Sequence, residues 1–577
     1  MRLRALRVTP MILALGGAVA CTEHVGRGAG VGAELGVAPS SEAQLVRGLT
    51  IAEVAIFQGT RVSLEKAGAK QATRPMPVVA GRDALVRVYV TPELAQATRY
   101  AAPVTAELTL VRGGAITDTL RSTLRVVGAS SEETPGTTFN FDVPGADIAA
   151  DTRFMVRLLD DASPPTSTAE PNDAQYPRDG TTDALDAVKV MDALRVVIVP
   201  VRYLGDGSGR LPDTSPEVVL ALRRRMLEFY PVPDVEVTVR APIDHDGVIG
   251  TTGVGWDAVL QRVTQTRLAD NPPADVFYYG AFAPMPTIGE FCAQSCVLGL
   301  SNFGEVATDA GSHASVGALY PANEAIDTMP HEIGHAFGRM HAPCGGASAP
   351  DPSYPHEGAH TGSWGYSVVT KTLKPPTAFD QMSYCTPSWQ SDYTYAGIFA
   401  RLRAVAGAAP TATPSTSTTR AYRILSVGAD GSLSWSGPAF RSSVALSGPA
   451  QPLSWIDREG KATLVTGHAY GYDHLEGGYV IVPEPEDGNV ARLATSLAPG
   501  RDATRDVARR GLEARRSRRN RSLSDQRARL ARLGRVRGRL VHRRRGLRLA
   551  NRRQRDVVGL TRVPKAGSPS SRFRRRS

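Results

Sequence analysis

The feature that most constrains this chain is an eleven-residue segment, residues 331–341, with the pattern HExxHxxGxxH. Residues four apart lie on one face of a helix, so His331 and His335 can bind one metal ion together. Glu332 is displaced by about 100° around the helix and can lie beside the ion. Gly338 can adopt the left-handed conformation that ends a helix, which lets the chain turn back and deliver His341. Three protein ligands with an open fourth position are the arrangement of a catalytic zinc site.

A second segment, residues 380–385 with the sequence DQMSYC, follows this pattern. Together the two resemble the metzincin clan of zinc metallopeptidases, specifically over residues 325–395. The resemblance implies that Met382 lies in a tight turn beneath the three histidines. Met-Ser-Tyr is similar to the turn of the serralysin-like members, which implies that Tyr384 is a fifth ligand or a hydrogen-bond donor to the oxyanion.

The resemblance implies an exported zinc endopeptidase that hydrolyses extracellular proteins or glycoproteins by metal-activated water, with Glu332 as the general base. We expect one catalytic zinc ion; calcium is compatible with the sequence but not indicated by it. The resemblance also implies that an edge strand binds the substrate in extended form. The layout of β domain, protease and β domain is similar to that of secreted bacterial metzincins that cleave mucin-type glycoproteins.

Other interpretations of these residues stay open. A core helix could carry three histidines, or the site could belong to a metal-free descendant of a protease. The main alternative function is a surface adhesin or glycan-binding lipoprotein with an inactive metalloprotease-like domain. A hydrolase acting on a non-peptide bond is a further alternative.

The first 21 residues have the features of an export signal. Arg2, Arg4 and Arg7 precede the short apolar run Met11–Ala20, which is too short to span a bilayer. Small residues before Cys21 resemble a bacterial lipoprotein cleavage box. We therefore expect lipid modification of Cys21, membrane attachment and an outer-membrane or cell-surface location; secretion without an anchor is the alternative. Both interpretations put the mature protein outside the cytoplasm.

The remaining cysteines are Cys292, Cys296, Cys344 and Cys385, all within the predicted catalytic domain. An even number in an exported protein favours two disulfides. Three pairings are compatible with the sequence. We favour Cys344–Cys385, which would tie the methionine turn to the zinc loop, with Cys292–Cys296 closing a small loop.

The fold class that we expect is an α+β metzincin-like catalytic domain, a mixed twisted sheet with a long active-site helix, flanked by all-β domains. The helix should begin near Ala325, where Pro330 is an awkward occupant unless it lies in the first turn. The predicted organisation is a lipoprotein-type signal peptide (1–21), a linker (22–46), a β-sandwich-like domain (47–190), the zinc metallopeptidase domain (191–405), a Pro/Ser/Thr linker (406–420), a small β domain (421–490) and an Arg-rich tail (491–577).

The C-terminal tail reverses the charge of the chain. Arg501–Ser577 contains 28 of the 67 Lys and Arg residues and five of the 56 acidic residues, so the preceding part is acidic although the net charge is +11. We favour a shifted reading frame over a disordered tail or an arm that binds anionic surfaces. We expect no nucleic-acid partner, and we expect a monomer.

The other polar candidates have no ligand spacing among themselves. We interpret five histidines as surface or core polar residues, and two aspartates near the turn as structural: His313, His356, His360, His468 and His474, and Asp380 and Asp392.

Overall fold

The structure is a computed structural model that describes residues 44–93, 103–160, 171–320, 326–407, 419–485, 490–498 and 501–506. The predicted signal peptide with Cys21, most of the two predicted linkers and the Arg-rich sequence after residue 506 lie outside the described residues. The described part is a mixed α/β structure with many strands and few helices. Among the described residues, no helix is long and apolar enough to cross a membrane.

The N-terminal region is built from two antiparallel sheets. One has the order β1-β10-β7-β8, with β11 and β12 also paired to β10, and the other has the order β4-β3-β2-β6-β9. Apolar side chains of both sheets, such as Ile56, Val86, Leu108 and Phe154, belong to one core, which indicates that the sheets pack face to face. The strands are β1 (Gln44–Leu45), β2 (Leu49–Phe57), β3 (Arg61–Lys66), β4 (Ala69–Lys70), β5 (Val78–Val79), β6 (Ala84–Pro92), β7 (Val104–Arg112), β8 (Ala115–Leu124), β9 (Phe139–Val143), β10 (Arg153–Asp160), β11 (Gln175–Tyr176), β12 (Asp183–Ala184) and β13 (Ala187–Val188).

The middle region alternates strands and helices. Its main sheet has the order β15-β14-β17-β19-β18, and β18 is an edge strand that runs antiparallel to β19. The elements are β14 (Leu194–Tyr203), α1 (Pro216–Phe229), β15 (Val235–Val239), β16 (Ile243–His245), α2 (Trp256–Asp270), β17 (Val276–Phe282), α3 (Ile288–Phe291), β18 (Gly299–Ser301), β19 (Ala314–Ala318), α4 (Thr328–Ala336), β20 (Gly365–Ser367), β21 (Thr372–Lys374), β22 (Phe379–Asp380), β23 (Ser388–Trp389) and α5 (Asp392–Gly407).

Helices cover both faces of this sheet. Because side chains of a strand point alternately to its two faces, β14 contributes to two separate cores. Val196 and Ile198 of β14 pack in one core with side chains of α1, α4 and α5. Val199 and Val201 pack in a second core with Trp256 and other side chains of α2. The helix that carries the histidine pattern is thereby fixed against the sheet beside β18.

The active-site helix differs from the expectation in length. Helix α4 has nine residues, not the long helix expected, and it begins at Thr328 and not near Ala325. Pro330 lacks a backbone N–H, so it fits only within the first turn, and the helix starts two residues before it. Gly338, with a φ of 75°, ends the helical path soon after Ala336.

The C-terminal region is one sheet with the order β25-β24-β28-β27-β26-β29-β30. It continues past residue 490, where we expected the Arg-rich tail to begin. Gln261 of α2 donates a hydrogen bond from Nε2 to Ser426 Oγ at 3.0 Å, so this sheet contacts the middle region. Its strands are β24 (Arg420–Val427), β25 (Leu433–Ser442), β26 (Ala450–Asp457), β27 (Ala462–Gly471), β28 (Gly478–Pro483), β29 (Val490–Ala498) and β30 (Arg501–Asp506).

Candidate metal centre

Helix α4 presents His331 and His335 on one face, with their Nε2 atoms 3.1 Å apart. The opposite side of the helix carries Met329 and Ile333, which are buried in the apolar core. This division follows the helical period, because residues four apart share a face. The packing of the apolar side therefore fixes the direction in which the two imidazoles point.

The end of α4 brings the third histidine to the other two. The backbone N–H of Gly338 donates to His335 O at 2.7 Å, and that of Arg339 donates to Gly334 O at 3.0 Å. This pair of bonds is a Schellman motif, which requires a left-handed residue at the position of Gly338. The chain then reverses and brings His341 to the same point, where the ligand atoms of the three histidines lie within 4.8 Å of one another.

The hydrogen bonds of the three imidazoles fix their tautomers. A carbonyl oxygen can only accept a hydrogen bond, so each Nδ1 must carry the proton and each Nε2 must have a free lone pair. Three lone pairs that point at one another repel unless a cation lies between them. The donor set therefore fits a metal ion, and the carbonyl partners are the kind of outer contact that orients metal-binding histidines. The bonds run from His331 to Gln381 O at 2.7 Å, from His335 to Arg339 O at 2.6 Å and from His341 to Ser348 O at 2.7 Å.

Burial also keeps these imidazoles neutral. It lowers the pKa of His331 to about 4, with a further contribution from His341. Burial lowers the pKa values of His335 and His341 as well. A histidine must be neutral to bind a metal ion, so the three side chains are in the protonation state that metal binding needs at neutral pH.

Glu332 lies beside the three histidines in a pocket that a glycine provides. Its side chain is buried, and Oε2 has no hydrogen-bond partner among the described residues. A Cβ added to Gly299 of β18 would lie 2.1 Å from Glu332 Oε1, so only glycine leaves room for this carboxylate. Burial, together with the charge of Asp473, raises the pKa of Glu332 well above its ordinary value. A carboxylate whose pKa is raised in this way binds a proton more readily than an exposed one.

Met382 lies directly under α4. It is fully buried, and a Cβ added to Gly334 would lie 2.6 Å from its Sδ. Asp380 holds the turn, because its Oδ1 accepts from Met382 N at 2.7 Å and its Oδ2 accepts from Ser391 N at 3.1 Å. Met382 and the turn that Asp380 holds thus lie against the helix that carries His331 and His335.

Tyr384 lies at the open side of the site. Its hydroxyl is 3.2 Å from His341 Nε2, and 48% of the residue is exposed. Burial of the hydroxyl end, with smaller contributions from Glu332 and Asp473, raises its pKa. The tyrosine is therefore a neutral hydrogen-bond donor at neutral pH, and it lies within reach of a group bound at the histidines.

The four cysteines form the two pairs that the sequence analysis favours, Cys292–Cys296 and Cys344–Cys385. The second pair joins the loop after His341 to the methionine turn. In the same place the backbone N–H of Tyr384 donates to Cys344 O at 3.3 Å. The turn and the loop that carry the site are thus linked both covalently and by a hydrogen bond.

Two residues at the site were missed by the sequence analysis. Asp473 Oδ2 lies 3.3 Å from His335 Nε2, and the Asp473 side chain is fully buried. His474, which we interpreted as an ordinary polar residue, contacts the Asp473 carboxylate and lies near His341. Both belong to the loop between β27 and β28 of the C-terminal sheet. An Asp-His pair in a glycine-rich turn was the available signal, but nothing local places that turn against α4.

The other histidines lie elsewhere. His313 is buried in the core, where its Nδ1 donates to Ala274 O at 2.7 Å. His356 Nε2 lies 2.8 Å from Asp392 Oδ1, so both belong to a pair outside the cluster of three histidines. His360 stacks on Phe379.

Residues 292–419 match the model of the Peptidase M66 family. This is a metallopeptidase family, and the matched segment contains the three histidines, Glu332 and the methionine turn. A peptidase domain is therefore present in the middle region, and the match supports a metallopeptidase function. No curated protein matches the chain.

Proposed function

We propose that the chain is an exported zinc endopeptidase of the metzincin type. The observation that carries this proposal is the convergence of three neutral, oriented imidazoles next to the buried carboxylate of Glu332. Three imidazoles suit zinc, which prefers tetrahedral sites with nitrogen ligands. When bound there, zinc supplies a positive charge that polarises a carbonyl group and acidifies water.

In this proposal His331, His335 and His341 hold the ion, and Glu332 is the general base. Glu332 takes the proton of the attacking water and passes it to the leaving amine. Tyr384 donates a hydrogen bond to the developing oxyanion, since its neutral hydroxyl lies on the open side of the site. A spacer domain in an adhesin would have no need of a buried, unpartnered carboxylate at this position.

The substrate is proposed to lie along β18 as an added antiparallel strand. This strand is at the edge of its sheet, and Gly299 within it contacts the Glu332 carboxylate. Edge strands carry backbone groups that can pair with an extended peptide. An extended protein or glycoprotein segment bound there would cross the site next to the general base.

The location is also a proposal. Disulfides form and persist in oxidising compartments, and the middle region contains two of them, of which Cys344–Cys385 lies beside the site. Together with the N-terminal pattern they support export, with attachment to a membrane through lipid-modified Cys21. We propose a monomer that acts on protein or glycoprotein substrates outside the cytoplasm.

The proposed function is tested with the full chain as wild type and as Glu332→Ala. Both are analysed for zinc, and both are incubated with a mixture of proteins and mucin-type glycoproteins, in which new amino termini are counted by mass spectrometry. Because Glu332 is not a ligand, the variant should keep its zinc but lose about 100-fold or more of its turnover. A variant that retains more than a few per cent of wild-type turnover contradicts the role of Glu332.

A further inference from the structure

The chain at the C-terminal end of β18, residues 301–303, is already paired with the end of β27 and the loop that follows it. Phe303 N donates to Gly471 O at 3.2 Å, and Asp473 N donates to Ser301 O at 3.2 Å. Tyr472, between them, forms an antiparallel bridge with Asn302. Residues 471–473 thus extend the sheet by one antiparallel segment, in the way that an extended peptide adds to a sheet edge.

This pairing brings the carboxylate of Asp473 next to His335 and His341. Oδ1 accepts a hydrogen bond from Ser301 N at 2.9 Å, and Oδ2 lies 3.3 Å from His335 Nε2. In a tetrahedral site with metal–nitrogen bonds of about 2.0–2.1 Å, neighbouring ligand atoms are about 3.3 Å apart. The distance from Asp473 Oδ2 to His335 Nε2 is therefore the one expected between two ligand atoms of a single ion. The distance from His331 Nε2 to His335 Nε2 is similar, at 3.1 Å.

The rest of the loop is seated on the middle region. Leu475 packs against the apolar core together with Val297 and the cysteines of the Cys292–Cys296 pair. Tyr472 accepts a hydrogen bond at its hydroxyl from Gln261 Nε2 at 2.6 Å. The loop is thus held on both sides of Asp473, and the carboxylate is directed by these contacts as well as by its bond to Ser301.

We propose that Asp473 is a fourth protein ligand of the metal ion, presented by residues 471–474 acting as an internal pseudosubstrate. This inference rests on the proposed function, because it concerns the same ion and the same strand. Four protein ligands leave no position for water, which is the arrangement of a closed site. The enzyme is then self-inhibited while the segment is seated, and it cleaves substrate when the segment leaves the edge of β18.

The ligand assignment is tested by metal binding, which needs no turnover. Asp473→Asn keeps an oxygen for the bond to Ser301 N but removes the anionic ligand, and Glu476→Gln is the matched control, an exposed acid of the same loop. We expect the dissociation constant for zinc, measured by chelator competition, to rise by about 10–100-fold in Asp473→Asn. The visible spectrum of the cobalt(II)-loaded protein should also change in that variant and not in Glu476→Gln. Unchanged affinity and spectrum overturn the assignment.

The pseudosubstrate role is tested by cleavage with the same proteins and with Asp473→Ala. A tethered segment competes with substrate at an effective concentration on the order of millimolar, so its loss should raise the initial rate by at least about tenfold at low substrate. Glu476→Gln should behave as wild type. A lower rate in both Asp473 variants overturns self-inhibition, because it makes Asp473 part of the catalytic machinery.

The two proposals fail in different ways. If Asp473→Asn weakens metal binding but no variant cleaves any substrate, the peptidase function fails while the ligand assignment stands. If the wild type and Glu476→Gln cleave and the Asp473 variants match them in metal affinity and rate, the inference fails while the peptidase function stands. Absence of metal binding in every protein overturns both.

Discussion

At the scale of single residues, the site depends on the position of the imidazole protons and on a glycine that leaves room for a carboxylate. The Nδ1 protons of the three histidines are directed to backbone carbonyls, which leaves the Nε2 lone pairs for a cation. Gly299 contributes by having no side chain, since a Cβ there would overlap Glu332 Oε1. The motif alone predicts the ligands and the base, but it says nothing of this glycine on a separate strand.

Gly299→Ala should displace Glu332 without touching the metal ligands. We expect kcat to fall by about 100-fold, which is within the contribution of a general base, while zinc content stays at the wild-type value. The control is Gly289→Ala, because a Cβ added there has no atom within 4 Å. Normal turnover in Gly299→Ala would contradict the position assigned to Glu332.

His313 makes stability depend on pH far from the metal ligands. Burial, with the charge of Arg267, lowers its folded-state pKa to about 3, whereas its ordinary value is 6.5. The unfolded chain therefore binds more protons between these two values, so stability is complete above about pH 6.5 and falls as the pH drops. Over the whole window the loss is on the order of 5 kcal/mol.

Replacing His313 by Asn should reduce that dependence. Urea unfolding of the chelator-treated wild type and of His313→Asn, measured at pH 7 and at pH 4.5, gives the difference in slope. We expect the wild type to lose more stability than the variant over this interval. Equal losses in the two proteins would contradict the buried, neutral state of His313.

At the scale of elements, the Schellman end of α4 connects helix geometry to metal binding. Gly338→Ala places a Cβ 2.7 Å from Gly304 O and puts alanine at a φ of 75°. The left-handed conformation alone costs about 1–2 kcal/mol. The contact should in addition shift the chain that carries His341 and weaken zinc binding by about tenfold or more, as measured by chelator competition.

Gly346→Ala separates the two effects of this change. Gly346 has a φ of 74°, but an added Cβ meets nothing within 4 Å. It should lose a similar 1–2 kcal/mol of stability and keep its zinc affinity. Equal zinc affinities in the two variants would contradict the link between the helix end and His341.

The ends of helices depend on neighbouring residues in the sequence, whereas the place of a strand in a sheet depends on distant ones. Helix α1, for example, begins at Pro216, because the fixed φ and missing N–H of proline fit the first position of a helix. Helix α4 is shorter than predicted, because Pro330 fits only within the first turn and the helix therefore starts at Thr328. The edge strand could not be chosen from sequence, since β18 has three residues and its place at the edge is set by pairing with β19.

At the scale of the whole molecule, the main sheet of the middle region and the C-terminal sheet meet at one site, which no local sequence pattern indicates. The sequence predicts a linker at 406–420 and a small β domain after it, and no local pattern in it indicates that the loop between β27 and β28 reaches α4. The contact is between residues distant in sequence, and it includes a buried network in which Tyr479 donates from its hydroxyl to Asn302 Oδ1 at 3.0 Å. Strands β29 and β30 also continue into the sequence that we assigned to the tail, because sheet pairing outweighs local composition there.

We propose that three histidines of this chain hold a zinc ion. X-ray absorption at the zinc edge of the purified full chain tests it most directly. We predict one zinc ion per chain with three imidazole nitrogens and oxygen in its first shell at about 2.0–2.2 Å. A protein without zinc, or a shell containing sulfur at about 2.3 Å, would contradict it.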